Sequence, residues 1–122
     1  MSKIKTDVVV LGAGPAGYVA AIRAADYGKK VVCVEQEELG GTCLNWGCIP
    51  SKALISAGHF IEPTKHAAEM GFTVEPPKLD LSKLIAWKDG IVKRLTGGIG
   101  MLYKSRKIEW VKGKGRIHSP NQ

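Results

Sequence analysis

Apolar and polar positions along the chain fall into two periods. Val8–Leu11 is an unbroken β-branched and apolar run, and so is Val31–Val34. Runs of this kind fit strands of a parallel sheet that is covered on both faces. Between them, Ala16–Tyr27 is rich in alanine and reads as a helix, with Gly28 as its C-terminal stop. Strand, helix and a second strand ending at Glu35 make a βαβ unit, for which a right-handed crossover is expected. Helical spacing returns further along. The segment from Gly40 reads as a loop entering a helix over Ile49–Phe60, and another helix is predicted over Pro63–Met70, stopped by Gly71. A long one is predicted over Asp80–Lys104, where Leu81, Leu84, Ile85, Ile91, Val92 and Leu95 recur at helical intervals. Gly97, Gly98 and Gly100 weaken its last turns by up to ~1 kcal/mol each relative to alanine. Pro76-Pro77 marks a loop, Ile108–Val111 a third strand and Gly113-Lys114-Gly115 a turn. The fold class is α/β, a parallel sheet with flanking helices. The sequence contains no internal repeat and no linker.

Composition narrows the function classes. At 122 residues the chain is at most one domain, and 44% apolar with 24% charged residues is ordinary for a globular protein. The formal net charge is +7, and Lys104, Arg106, Lys107, Lys112, Lys114 and Arg116 crowd the end of the chain. That cluster reads as a solvated face, with no nucleic-acid partner expected. The uncharged run Val8–Ile22 is broken by glycine and proline and is shorter than the ~20 residues a bilayer requires. Neither a signal peptide nor a membrane partner is expected, and the reading is a cytoplasmic or mitochondrial-matrix protein. In a reducing compartment, three cysteines point to catalysis or packing more than to structural disulfides.

Two constellations carry chemistry. The first is Gly12-x-Gly14-x-x-Gly17, preceded by a strand, followed by a helix, with Glu35 at the tip of the next strand. Gly12 permits the tight turn, Gly14 lets a pyrophosphate approach the backbone, and Gly17 lets the helix pack closely on the strand. Pro15 and Ala16 open the helix, whose free N–H groups and positive dipole end suit phosphates. Glu35 suits a ribose. The competing reading is a plain glycine-rich turn.

The second is Gly40-Gly41-Thr42-Cys43-Leu44-Asn45-Trp46-Gly47-Cys48-Ile49-Pro50-Ser51-Lys52. Five residues of regular helix rise ~7.5 Å, whereas a disulfide needs Cα atoms within ~7 Å. If Cys43 and Cys48 are bonded, they therefore do not share one regular helix. Pro50 is tolerated only in a first turn, so Cys48 is expected at or just before a helix N-terminus, where a thiolate is favoured. Lys52 adds positive charge on the same helical face. Inert packing, or half a zinc site completed by His59 or His66, are the alternatives, although Pro-Ser-Lys has no zinc rationale and no metal is expected. Cys33 reads as a buried strand residue. His59, His66 and His118 carry no signal singly, and Trp46, Trp87 and Trp110 read as packing residues.

Gly12–Ala21, Gly40–Leu54, Leu95–Ile99 and Lys112–Ile117 together resemble the flavin-dependent disulfide reductases, the class I pyridine nucleotide-disulfide oxidoreductases. The resemblance spans nearly the whole chain and is strongest for the branch that oxidises dihydrolipoamide. Mercuric reductases share Pro50-Ser51-Lys52, whereas glutathione reductases usually carry Pro-Lys-Lys. Trp46 departs from the valine or arginine usual in that position.

The resemblance implies the N-terminal part of an FAD-binding Rossmann-like domain over residues 1–122, with the NAD-binding and dimerisation domains outside this chain. Gly12, Gly14, Pro15, Ala16 and Gly17 would hold the pyrophosphate of FAD and Glu35 its ribose. Gly40, Gly41 and Thr42 would lie along the cofactor, Lys52 near the flavin ring and Gly115 against the adenosine. Cys43 would exchange with the dithiol and Cys48 would face the flavin, so electrons pass from dithiol through the Cys43–Cys48 pair to FAD and on to NAD. The partners implied are a second subunit when full length, and the lipoyl domains of 2-oxo acid dehydrogenase complexes. The absent modules include the base that serves the substrate thiol, so little or no turnover is expected of the chain alone. A non-catalytic flavin-binding or redox module is the alternative of another class.

Overall fold

The computed structural model describes residues 3–120. Its strands are β1 (Val8–Leu11), β2 (Val31–Glu35) and β3 (Glu109–Lys112), and its helices α1 (Pro15–Asp26), α2 (Gly41–Asn45), α3 (Cys48–Lys65) and α4 (Leu81–Ser105). A short 3-10 turn, Ala67–Met70, follows α3. The strands form one parallel sheet in the order β1-β2-β3. Val8 pairs with Val31 and Val32 with Glu109, which places β2 in the middle. β1 pairs with β2 alone among the described strands.

The core is small and local. Val31 and Cys33 of β2 cluster with Ala21 of α1, Ile99 and Tyr103 of α4, and Leu39 and Leu44 from the segment after β2. This explains why α4 runs on through Gly97, Gly98 and Gly100: Ile99 and Tyr103 anchor the weak turns by burial. The Cys33 thiol lies 3.8 Å from the carbonyl of Gly12. Beside it the Tyr103 phenol is buried without a hydrogen-bond partner, and burial, then Cys33, pushes its pKa far above the usual phenol range.

Three expectations need correction. Pro63 does not begin a helix: α3 continues past it to Lys65. The N–H that proline lacks would have bonded the carbonyl of His59, an exposed position where water can serve. The stretch before Cys48 is not wholly loop, because α2 forms one helical turn. Trp46, Trp87 and Trp110 are not packed inside but stand exposed, since the nearby core is too thin to enclose them.

The ends of α1 and α4 share one geometry. The N–H of Gly28 bonds the carbonyl of Ala25 and that of Lys29 bonds Ala24, while Lys107 bonds Lys104 and Ile108 bonds Tyr103. Both are Schellman stops, which need a left-handed residue just past the helix. Gly28 supplies it at no steric cost, but at the second stop Lys107 adopts φ 56°. The β-carbon penalty there is ~1 kcal/mol or slightly more. Lys107→Gly is expected to raise unfolding stability by up to about 1 kcal/mol, less the extra entropy of glycine in the unfolded chain. A urea melt checks this, and a lower midpoint would refute it.

Candidate functional site

The glycine turn joins β1 to α1. Its first glycine, Gly12, takes φ +96° and donates its N–H to Val34 at 2.8 Å. A β-carbon on Gly17 would stand 1.9 Å from the carbonyl oxygen of Gly12, so the helix meets the strand at a spacing only glycine allows. A β-carbon on Gly14 would meet nothing within 4 Å, which leaves open space over the turn. No side chain caps α1, and Tyr18 is the first residue whose N–H reaches an intrahelical acceptor, Gly14, at 2.9 Å. The amides of the first turn are therefore free for an anion.

Glu35 closes one side of the cradle. Its carboxylate accepts the N–H of Ala13 at 2.7 Å and that of Glu37 at 2.8 Å. Partial desolvation raises its pKa, but amide donors from Ala13, Glu37 and Gln36 outweigh that and hold it below the usual carboxylate value. A carboxylate has about four acceptor positions, so hydroxyls of a sugar still find partners here. A cavity of about 280 Å³ adjoins it, lined by Leu11, Gly12, Glu35, Gln36, Lys114 and Gly115 among others. Gly115 is thus brought to Glu35 across the sheet. A β-carbon there would lie 2.6 Å from the Leu11 side chain.

The cysteine segment rests directly on this turn. The N–H of Gly40 donates to Ala13 at 2.8 Å. A β-carbon on Gly41, whose φ is +59°, would fall 2.7 Å from the α-carbon of Gly14. Asn45 ties the segment from within, donating from Nδ2 to the carbonyls of Leu39 and Gly41 at 3.1 and 2.9 Å. Leu44 plugs the core. After α2 the chain turns at Trp46 and Gly47, and Cys48 opens the eighteen-residue α3 with Pro50 in its first turn. So the cysteines occupy two different helices, Cys43 in α2 and Cys48 at the N-terminal end of α3.

Both cysteines are thiols, Cys43 partly exposed and Cys48 exposed. The Cys43 thiol is pushed above the ordinary thiol range, first by its hydrogen bond with Cys48 and then by desolvation. The charge of Lys52 pulls the other way. Cys48 sits at the N-terminal, positive end of the α3 dipole.

Other candidates are placed elsewhere. Arg106 bonds Asp26 at 2.7 Å and Lys112 bonds Glu38 at 3.1 Å, so part of the C-terminal basic cluster is paired within the fold. Among the described residues no group of three or more His, Cys, Asp or Glu is placed to hold a metal. No helix among them is long and apolar enough to cross a membrane. Asn45, Gln36 and Lys114 were missed from the sequence. Asn45 had a readable cue, its place between two cysteines, whereas Gln36 and Lys114 meet only across the sheet.

Fold and site together define a dinucleotide-binding βαβ unit with a dithiol seated on its phosphate turn. Residues 6–122 match the family model described as pyridine nucleotide-disulphide oxidoreductase, and the chain belongs to that family. Its relatives include dihydrolipoyl dehydrogenase of Bacillus subtilis (strain 168), 56% identical over 118 residues, and that of Geobacillus stearothermophilus, 57% identical over 118 residues. Each alignment covers 97% of this chain and 25% of the relative. The mitochondrial dihydrolipoyl dehydrogenase of Bos taurus is 51% identical over 122 residues, covering 98% of this chain and 24% of its own length. The chain thus spans about a quarter of the length of these curated relatives. The family uses FAD and NAD.

Three outcomes follow from this geometry. Gly17→Ala should cost about 1–3 kcal/mol of stability by overpacking. Gly14→Ala should leave the melting temperature nearly unchanged yet weaken FAD binding, because its new methyl fills the space over the turn. Melting curves and flavin titration separate the two, and equal FAD affinity for Gly14→Ala and wild type would refute the cradle assignment. At neutral pH the raised pKa keeps Cys43 mostly protonated. Cys48→Ala removes the main cause, so alkylation of Cys43, followed by mass spectrometry against pH, should become faster. An unchanged rate would show that Cys48 does not hold that proton.

Proposed function

We propose that this chain is the flavin-binding, dithiol-bearing part of an FAD-dependent oxidoreductase that oxidises protein-bound dihydrolipoamide to lipoamide, with NAD as final acceptor. The observation that carries the proposal is the backbone contact of Gly41 on Gly14, which seats the Cys43–Cys48 pair against the phosphate turn. Gly12, Gly14, Pro15, Ala16 and Gly17 hold the pyrophosphate of FAD and Glu35 a ribose, while Gly115 lines the adenosine side. Gly40, Gly41, Thr42 and Lys52 lie along the rest of the cofactor. FAD, when bound, supplies the two-electron acceptor that a dithiol at Cys43 and Cys48 requires.

The chain's own sulfurs perform the exchange. In the oxidised protein Cys43 and Cys48 are bonded to each other. One substrate thiolate attacks the Cys43 sulfur, a substrate–Cys43 disulfide forms, and the Cys43–Cys48 bond breaks with Cys48 leaving as thiolate. The second substrate thiolate then attacks the substrate sulfur of that mixed disulfide and Cys43 leaves. The substrate ends as a cyclic disulfide and the protein as a dithiol, two electrons richer, with the substrate's two protons on protein thiols or in solvent. The helix dipole at Cys48 favours its departure.

The short match to longer relatives supports activity in a larger protein, a homodimer serving lipoyl domains of 2-oxo acid dehydrogenase complexes in cytoplasm or mitochondrial matrix. Exposed Val9 and Leu11 on β1 point the same way, because they need cover that this segment does not provide. In the full-length protein, Cys43→Ser and Cys48→Ser should each lower dihydrolipoamide-dependent NAD reduction by at least about a thousandfold, with flavin retained. Substantial residual turnover, or turnover with mercuric ion in place of the dithiol, would overturn the assignment. The visible spectrum of the isolated chain after adding and removing free FAD tests whether the cradle is self-sufficient. We expect no steady-state NADH production from it, and enzyme-like turnover would sink that expectation.

A further inference from the structure

The turn between the two cysteines distributes its side chains unequally. Leu44 is only 7% exposed and points into the core. Asn45 folds back onto the carbonyls of Leu39 and Gly41. Cys43 and Trp46 remain: Cys43 lies in α2, and Trp46 is the residue that ends it, three positions further on. The N–H of Trp46 still completes that turn, donating to Thr42 at 2.9 Å. The corner after it is tight: a β-carbon on Gly47 would come within 3.0 Å of the Thr42 carbonyl. The backbone at Trp46 is therefore held, while its indole is 58% exposed. A large aromatic side chain is thus presented about one helical turn along the chain from Cys43.

Resting on the dithiol-oxidising reading above, we propose that Trp46 determines which dithiols are used, by contacting the hydrocarbon arm and the incoming sulfur of a substrate at Cys43. An indole face offers apolar area to an alkyl arm and a favourable edge to sulfur. A dithiol that carries an extended aliphatic arm gains from both contacts. A small hydroxylated dithiol such as dithiothreitol gains little beyond the sulfur contact. The residue binds substrate and takes no part in the exchange of bonds.

The test uses the flavin-loaded, full-length protein with dihydrolipoamide and dithiothreitol as alternative substrates. Trp46→Val should lower kcat/KM for dihydrolipoamide about tenfold, mostly through KM. For dithiothreitol the loss should be less than about threefold, and Trp46→Phe should restore most of the lost selectivity. Flavin absorbance confirms that each variant is loaded and folded. An equal loss for both dithiols would mean that the indole is covered by the flavin or by another segment, and would overturn the proposal, as would no loss for either. If the wild type reduces NAD with neither dithiol, the underlying reading itself fails, an outcome distinct from the others.

Discussion

The contact on which the site depends is between two stretches of main chain. Gly14 and Gly41 approach so closely that a β-carbon on the latter would lie 2.7 Å from the former's α-carbon. One hydrogen bond, Gly40 to Ala13 at 2.8 Å, fixes the register of that approach. No side chain mediates it, so no rotamer can loosen it. The cysteine pair consequently inherits its position from the βαβ unit. Reactive groups mounted in this way keep their geometry while their own side chains change bonding partners. This is the preorganisation that the proposed thiol exchange would demand.

A second consequence is the inequality of the two sulfurs. Were both cysteines in one helix, their electrostatic surroundings would be similar. The break at Trp46 and Gly47 puts Cys43 at the edge of a five-residue turn and Cys48 at the head of an eighteen-residue helix. The hydrogen bond between the thiols is the largest influence on Cys43 and raises its pKa. A helix dipole acts mainly within its first turn, and only Cys48 is there. One short irregularity in the chain thus gives the two sulfurs different surroundings.

Much of this was legible in the sequence because punctuation and period agree. The βαβ unit has β-branched strands, an alanine-rich helix and a glycine stop, and each appears within a residue or so of its expected place. The start of α3 at Cys48 followed from Pro50, which confines the helix start to a narrow window. The remainder was not legible for physical reasons. α2 is shorter than two turns, too short for any period to register. Pro63 breaks a helix in sequence logic but is tolerated near an exposed C-terminal end. Lys107 takes a conformation that its identity argues against, because Tyr103 and Ile108 are buried on either side of the stop and close it regardless. The company of Lys114 at Glu35 is a product of strand pairing that no local pattern encodes.

The same local core separates the demands of the site from the demands of stability. The largest fully buried side chains are Val31 and Cys33, and alanines fill much of what surrounds them. That suffices to fix a few backbone contacts around the glycine turn, where the chain crowds on itself. It does not cover the outer faces. Between α3 and α4 a groove of about 640 Å³ is lined by apolar residues such as Leu54, Ile61 and Leu84, with Phe60 81% exposed at its rim. Apolar surface on this scale is destabilising in water at ~25 cal/mol per Å². It also lies on helical faces distinct from the glycine turn, so covering it need not disturb the cradle. The site is therefore organised by contacts within this segment, while the segment's resistance to unfolding is left to whatever packs over α3, α4 and the open edge of β1.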